Sequence, residues 1–322
     1  MSDVRKAREF WDQEILAQTH VSWMNEPLIR QAVHARIGGA TPASAGDWFV
    51  ARLNGRTFER GLSIGCGVGN LEREAIRRNV CASIDAFDAS LGSLLAARRA
   101  ADEEGFSDRI RYFASDFNRP ALPRDTYDIV FANQSLHHVG KLEKLFRALL
   151  RAMKPGAVLY LDEYIGPSRT DWNDDVIAPH RAAFAALPAA ARTSAVLPLP
   201  IQADDPSEAV RSSEILPQLA IGFDFEEVRD YGGNLLAVLY PLIDWSRVPD
   251  EAKARLIAED GEWAKQGSYH AVVVGRPVTG PRRLYASARW CLEPKAKRAL
   301  FEVRRRLAST SPGPAPRSRR AG

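Results

Sequence analysis

The sequence predicts an α/β protein in which helices cover both faces of a mostly parallel sheet. Short apolar segments alternate with segments of helical periodicity from residue 58 to residue 165, and this alternation is typical of a doubly wound sheet. The turn after the first strand is rich in glycine, which suits a turn that passes close to a ligand. The 322 residues are enough for one large α/β domain with extensions or for two small domains.

The first predicted strand ends in an unusual glycine turn. Its apolar residues stop at Gly65, Gly67 and Gly69, which are spaced at every second position. Residues 71–79 then have a helical pattern, so the free N–H groups at the start of that helix can meet a negative group. The dinucleotide fingerprint is G-x-G-x-x-G, whereas the third glycine here comes one residue earlier. The spacing therefore departs from that of nicotinamide and flavin enzymes.

An acidic residue follows the second predicted strand. Residues 82–87 are predicted to form that strand, and Asp88 stands at its tip. In doubly wound folds an acid at this point hydrogen-bonds the ribose hydroxyls of an adenosine cofactor. The third strand, predicted over residues 109–114, leads into a second polar segment at 115–117. We therefore expect the adenosine part of a cofactor to bind at the ends of these strands.

The rest of the chain divides into a core and its covering segments. Further strands are predicted at 127–132, 157–163, 223–231 and 268–275, and helices at 91–104, 142–153, 235–243 and 250–265. We expect a helical N-terminal cap over 1–57, a cofactor-binding domain over 58–280 with lid insertions near 166–213 and 232–266, and a basic C-terminal extension over 281–322. Five aromatic residues of the cap either pack it on the sheet or close over the cofactor: Phe10, Trp11, Trp23, Trp48 and Phe49.

Taken together, these motifs resemble the class I S-adenosylmethionine-dependent methyltransferases. The glycine turn, Asp88, the segments 115–117 and 127–139, and the Lys-Pro-Gly turn at 154–156 follow the order and spacing of that family. The resemblance implies a Rossmann-like fold with a seven-stranded, mostly parallel sheet and S-adenosyl-L-methionine as cofactor. It also implies the cofactor-binding residues, which are Gly65, Cys66, Gly67, Gly69, Asn70, Asp88, Ala89, Ser90, Ser115, Asp116, Phe117 and Asn133.

One position departs from the family pattern. The family often has Asp or Glu two residues before the first glycine, where this chain has Ser63. That acid usually helps to hold the methionine end of the cofactor. Another group must therefore take over this task in the present chain.

Candidate catalytic residues follow the fourth and fifth strands. His137 and His138 come just after the fourth strand, at the edge of the sheet where the methyl group should be transferred. A histidine has a pKa near neutrality and suits the role of general base, and we favour His137. Glu163 ends the fifth strand and is expected to bind the imidazole N–H as the acid of a triad does. An ascending limb of the pH–rate profile near neutrality is the corresponding expectation.

The sequence narrows the acceptor only in part. The segment after the fourth strand lacks the Pro-Pro pattern of the family's nucleic-acid enzymes, and residues 1–280 carry a net charge of −6, so nucleic acid is not expected. Segments 23–27, 62–67 and 163–169 resemble bacterial methyltransferases of glycan and secondary-metabolite gene clusters. A hydroxyl of a sugar or another small molecule is therefore the expected acceptor. Methylation of carbon or nitrogen, and a non-catalytic binding subunit, are the alternatives.

Several further expectations concern ligands and surroundings. Asp205 is expected to cap a helix, and Arg169 and Arg211 are either solvated or bind an anionic acceptor. Asp162, Glu163 and the two histidines match no metal-ligand spacing, so no metal is expected.

The charge and the cysteines indicate the protein's surroundings. Residues 281–322 carry a net charge of +10, and we expect this extension to be disordered at its end and to contact an acidic surface if it binds a partner. The three cysteines have no redox or metal spacing, and no stretch has the apolar length of a membrane span. We therefore expect the protein to be cytoplasmic. The sequence does not decide whether it forms a homo-oligomer.

Overall fold

The computed structural model describes residues 22–291 together with residue 6 and residues 9–12. Its centre is a seven-stranded sheet of order β3-β2-β1-β4-β5-β7-β6. The strands are β1 (Phe58–Ile64), β2 (Cys81–Asp88), β3 (Ile110–Ala114), β4 (Tyr127–Asn133), β5 (Met153–Tyr164), β6 (Phe223–Gly232) and β7 (His270–Pro277). Strands β1 to β5 pair in parallel, whereas β7 runs antiparallel to β5 and β6. The predicted fold class is therefore confirmed.

Helices precede, connect and follow these strands. They are α1 (Pro27–Gly38), α2 (Ala45–Leu53), α3 (Asn70–Arg77), α4 (Leu91–Glu103), α5 (Leu142–Ala152), α6 (Asp174–Ala185), α7 (Ile215–Leu219), α8 (Leu236–Leu239), α9 (Asp250–Ala264) and α10 (Gly280–Arg289). Strand β5 begins four residues earlier than predicted, because Met153 already pairs with Tyr127 before the register shifts. Within the described residues, no helix combines the length and apolar character needed to cross a membrane.

Both faces of the sheet are buried, which explains why its central strands are apolar at successive positions. In β4, Ile129 and Phe131 pack on the side of α1 to α4, while Val130 and Ala132 pack on the side of α5, α7 and α10. Neighbouring strands repeat this alternation. The two layers of helices hold the carboxyl ends of β1, β2, β4 and β5 at one edge of the sheet, where ligands bind in doubly wound folds.

The two insertions pack on each other beside this edge. Residues 166–213 contain α6, and residues 232–266 contain α8 and α9. Arg192 and Ile243 form a β-bridge between the insertions. Trp172 and Leu239 contribute buried side chains to the same core as the sheet. The insertions therefore form a wall of the molecule that is continuous with its core.

Two sequence expectations concern Asp205 and the basic C-terminal extension. Asp205 precedes a turn over residues 206–209 and not the predicted helix. Its side chain accepts hydrogen bonds from the N–H and the hydroxyl of Ser207 in this turn. The basic extension begins with α10. The predicted disorder concerns the end of the chain, and residues 292–322 lie outside the described residues.

Candidate active site

The glycine turn between β1 and α3 depends on glycine at two points. Gly65 has a φ of 66°, and a Cβ atom there would overlap the side chain of Ser135. Gly69 has a φ of 78° and precedes α3 as its N-cap residue, and a Cβ atom there would overlap the hydroxyl of Tyr112. A larger residue at either position would push the turn away from the strand edge.

Asp88 closes the turn from the neighbouring strand. One carboxylate oxygen accepts a hydrogen bond from the N–H of Gly67 at 2.9 Å, and the other accepts one from the N–H of Ser90 at 2.8 Å. Burial raises the pKa of Asp88, while these N–H groups act in the opposite direction. The side chain thus joins the glycine turn to the start of α4.

The N-terminal segment 9–12 covers this region. Asp12 accepts hydrogen bonds from the hydroxyl of Ser90 at 2.6 Å and from the N–H of Gly92 at 3.0 Å. Trp11 donates its indole N–H to Asp205 at 3.1 Å and packs edge-on against His138. Two of these contacts satisfy groups at the N-terminus of α4, where a carboxylate is favourable. The segment therefore lies directly over the strand edge.

Two adjoining cavities share this edge of the sheet. The smaller, of about 810 Å³, is lined by seven predicted cofactor residues, Gly65, Gly67, Asp88, Ala89, Ser90, Asp116 and Phe117. The larger, of about 1010 Å³, is lined by Cys66, Asn70, Asn133 and both histidines. Gly65, Gly67, Trp11, Gln134 and His138 line both. Gly69 and Ser115 line neither; Ser115 instead donates its N–H to the carbonyl of Asp88.

An acid that the sequence did not reveal approaches Ser63. Glu72, in the first turn of α3, is fully buried and accepts a hydrogen bond from the hydroxyl of Ser63. Its other carboxylate oxygen is buried without a partner. Burial raises the pKa of Glu72 to about 7, although the bond from Ser63 opposes this effect. The helix thus brings a carboxylate to the place where strand β1 lacks one.

The environment of Cys66 argues against a reactive thiol. Burial raises the pKa of the Cys66 thiol, and the carboxylates of Glu72 and Asp88 raise it further. A thiol without thiolate character is a poor nucleophile. Cys66 is therefore not expected to act as a nucleophile.

His137 forms an ion pair with Glu163 inside the protein. Its Nδ1 atom lies 2.5 Å from a carboxylate oxygen of Glu163, whose other oxygen accepts hydrogen bonds from the N–H groups of Ser135 and Leu136. Burial lowers the pKa of His137, but Glu163, Glu208 and Asp205 outweigh it and raise the pKa to about 9. Burial raises the pKa of Glu163, but His137 and the N–H groups outweigh it and lower the pKa. At neutral pH His137 is therefore an imidazolium.

His138 has the opposite protonation state. Burial and the charge of His137 lower its pKa to about 4. Its Nδ1 atom lies 3.0 Å from the hydroxyl of Ser207, and that hydroxyl donates to Asp205 at 2.7 Å. Because the Ser207 proton is used in this way, the Nδ1 atom of His138 must donate, which leaves Nε2 with a lone pair. These pKa values lie on either side of neutrality in the ligand-free protein. The ascending limb of the pH–rate profile near neutrality stays a prediction.

Glu208 faces both rings. A carboxylate oxygen lies 3.8 Å from the Nε2 atoms of His137 and His138. Within the described part of the chain, the ligand atoms of these three residues lie within 4.8 Å of one another, close enough to share a metal ion. The Nδ1 atoms of His137 and His138 already contact Glu163 and Ser207, so the Nε2 atoms are the ones that face Glu208. The prediction that no metal is used stays a prediction.

The two arginines have structural partners. Arg211 forms ion pairs with Glu143 at 2.9 Å and with Glu214 at 2.6 Å. Arg169 donates to the carbonyl of Asp205 at 3.1 Å. Neither side chain lines either of the two cavities described above. Their hydrogen bonds instead hold the turn that carries Asp205 and Glu208.

Comparison with known proteins identifies the domain at this edge. Residues 62–159 match the family model described as a methyltransferase domain. The match contains the glycine turn, Asp88, and both histidines. This domain belongs to the class I S-adenosylmethionine-dependent methyltransferases. The predicted family and cofactor, S-adenosyl-L-methionine, are confirmed.

Curated relatives of the methyltransferase domain match it over limited lengths. The sterol 24-C-methyltransferase of Aspergillus fumigatus is 29% identical over 120 residues, which are 37% of this chain and 31% of the relative. The malonyl-[acyl-carrier protein] O-methyltransferase of Enterobacter lignolyticus is 33% identical over 144 residues, or 41% of this chain and 53% of the relative. The matched segment thus spans between about a third and a half of these relatives.

A solved structure shares the fold over most of the chain. The geranyl diphosphate C-methyltransferase of Streptomyces coelicolor aligns with a TM-score of 0.53 and 14% identity, covering 86% of this chain and 99% of that one. At this identity the likeness concerns the fold alone.

Proposed function

We propose that this methyltransferase transfers a methyl group from S-adenosylmethionine to a small-molecule acceptor and that His138 receives the proton that the acceptor loses. The single observation that carries the proposal is the pair of histidines between the two cavities, each held by an acid. Glu163 holds the Nδ1 atom of His137, and Asp205 acts on His138 through Ser207. Sequence reasoning favoured His137 as the base; the protonation states favour His138.

The residues at the strand edge fit the cofactor. The N–H groups of the glycine turn and the carboxylate of Asp88 line the smaller cavity, and Glu72 supplies a buried carboxylate for a positive group. When bound, S-adenosylmethionine supplies a methyl group on a positively charged sulfur, which leaves as a neutral thioether.

The protein must then orient the acceptor and remove its proton. Alignment of reacting groups supplies up to about 7–11 kcal/mol in favourable cases, and Trp11 and the two insertions enclose the cavities in which it would occur. The Nε2 atom of His138 accepts the acceptor's proton as the new bond forms. Even a weak base suffices here, because a methylated hydroxyl that still holds its proton is a strong acid. His137 stays protonated and paired with Glu163, and so fixes the position of its neighbour.

Oxygen and carbon acceptors both suit this arrangement. The expected hydroxyl acceptor loses its proton directly to His138. A carbon acceptor is the second candidate, because the larger cavity has the aromatic side chains of Trp23, Tyr164 and Tyr231 in its lining, and aromatic faces stabilise positive charge. The methylated carbon compound would lose a proton to the same base. The named relatives include methyltransferases of both kinds.

Turnover of variants tests the role of the histidines. With an acceptor found by mass spectrometry, His138→Ala should lower kcat about 10²-fold or more while leaving the affinity for S-adenosylhomocysteine nearly unchanged. Glu163→Gln should lower kcat less, because it weakens the pair without removing the base. Glu262→Gln is the matched control, since Glu262 is exposed and paired with Lys265. Full turnover in His138→Ala would refute the proton transfer to this residue.

A further inference from the structure

One wall of the larger cavity is apolar. Residues 197–201, with the sequence Leu-Pro-Leu-Pro-Ile, line it from the first insertion, and Val238 lines it from the second. Leu199 and Ile201 keep 40% and 37% of their surfaces exposed, although burying such side chains is favourable. An apolar ligand that covered them would gain this free energy. The wall therefore suits a hydrocarbon or aromatic body.

Another part of the cavity wall carries carboxylates and aromatic rings. Asp162 ends β5 beside Glu163 and accepts a hydrogen bond from the hydroxyl of Tyr231 at 2.6 Å. Burial raises the pKa of Asp162 to about 6, so it is largely ionised at neutral pH. Trp23 stacks on Tyr231, with ring centroids 6.3 Å apart. Both carboxylates and aromatic faces attract positive charge.

The charges of this wall do not cancel. The proton on His137 lies between the carboxylates of Glu163 and Glu208, and Asp162 adds a further negative charge to the lining. Of the described residues that line the larger cavity, none is a lysine or arginine. A negative group on an acceptor would therefore meet an excess of negative charge where little water screens it. A neutral or positive group would not.

We infer that the acceptor is a largely apolar molecule of zero or positive net charge, with its body against residues 197–201 and its reacting group toward Glu208 and the histidine pair. The inference rests on the proposed function, because it takes the larger cavity as the acceptor site. It also separates this protein from enzymes whose acceptor is a phosphate or carboxylate compound.

Three probes with the same carbon chain test the inference: octylamine, octanol and octanoate. Their dissociation constants would be measured by the fluorescence of the protein saturated with S-adenosylhomocysteine, since Trp23 and Trp172 line the cavity. The amine and the alcohol should bind at least tenfold more tightly than octanoate. Glu208→Gln should reduce the difference between amine and octanoate, whereas Glu262→Gln should leave it unchanged. Leu199→Gln should weaken all three probes by a similar factor.

Two outcomes would overturn the inference. One is octanoate binding as tightly as the amine or more tightly, and the other is no measurable binding of the amine and the alcohol. Failure of the proposed function would look different. Methyl transfer would then be absent from every acceptor while the preference among the three probes persisted.

Discussion

The buried carboxyl of Glu72 should make the unfolding free energy of the ligand-free protein depend on pH. The substitution Glu72→Gln should remove this contribution. Glu72 is fully buried, and its pKa rises from 4.5 to about 7 on folding. Between these values the native state holds a proton that the unfolded chain has lost. The free energy of unfolding contributed by this group therefore falls as pH rises from 4.5 to 7.

The size of the effect follows from the pKa change. Each pKa unit corresponds to about 1.36 kcal/mol, so the shift of Glu72 amounts to about 3 kcal/mol. Glu72→Gln keeps the shape of the side chain and cannot ionise. Between pH 4.5 and pH 8, the wild type should therefore lose up to about 3 kcal/mol of unfolding free energy that Glu72→Gln does not lose.

Urea unfolding at a series of pH values measures this difference. Tryptophan fluorescence would report unfolding of the wild type, of Glu72→Gln and of the control Glu262→Gln. The control removes an exposed carboxyl, so its curve should run parallel to that of the wild type. If the unfolding free energy of Glu72→Gln also changed with pH in parallel with that of the wild type, Glu72 would not carry a raised pKa in the folded protein. Saturating S-adenosylhomocysteine, whose ammonium group favours the ionised carboxyl, should reduce the pH dependence of the wild type.

Three further predictions concern the cofactor, the loop and metal ions. Asp88→Ala should weaken S-adenosylhomocysteine binding by about 1–3 kcal/mol in calorimetry, because a charged hydrogen-bond acceptor is lost; unchanged affinity would exclude Asp88 from the site. Arg211→Met should lower the unfolding free energy by about 2 kcal/mol, since it removes the ion pair between Arg211 and the largely buried carboxyl of Glu143; an unchanged melting temperature would contradict this. Dialysis against a chelator should leave turnover unaltered, whereas restoration of lost activity by a divalent ion would indicate that His137, His138 and Glu208 bind a metal.

Sequence periodicity was sufficient for the sheet because both of its faces are buried. The central strands read as short apolar runs, and glycine is required where Gly65 and Gly69 approach Ser135 and Tyr112. The parallel pairing of β1 to β5 followed from the alternation with helices. The start of β5 was missed, because the pairing of Met153 with Tyr127 is a tertiary contact that local patterns do not contain.

The site was predictable where its residues follow strands and not where insertions supply them. Asp88 and His137 stand at strand ends, so their positions follow from the topology. Ser207 and Glu208 come from a turn whose place depends on the long-range ion pair between Arg211 and Glu143. The pKa values of the histidines depend on these same neighbours, which explains why the sequence favoured a base near neutrality.

Transfer of a labelled methyl group tests the central claim most directly. The wild type would be incubated with S-adenosylmethionine carrying a ¹³C-methyl group and with neutral and amino compounds of apolar character, and the products would be examined by mass spectrometry. The account predicts one labelled methyl group on the acceptor for each S-adenosylhomocysteine formed, and almost none of either with His138→Ala. It would be contradicted if S-adenosylhomocysteine accumulated without a methylated product, or if His138→Ala formed both products at the rate of the wild type.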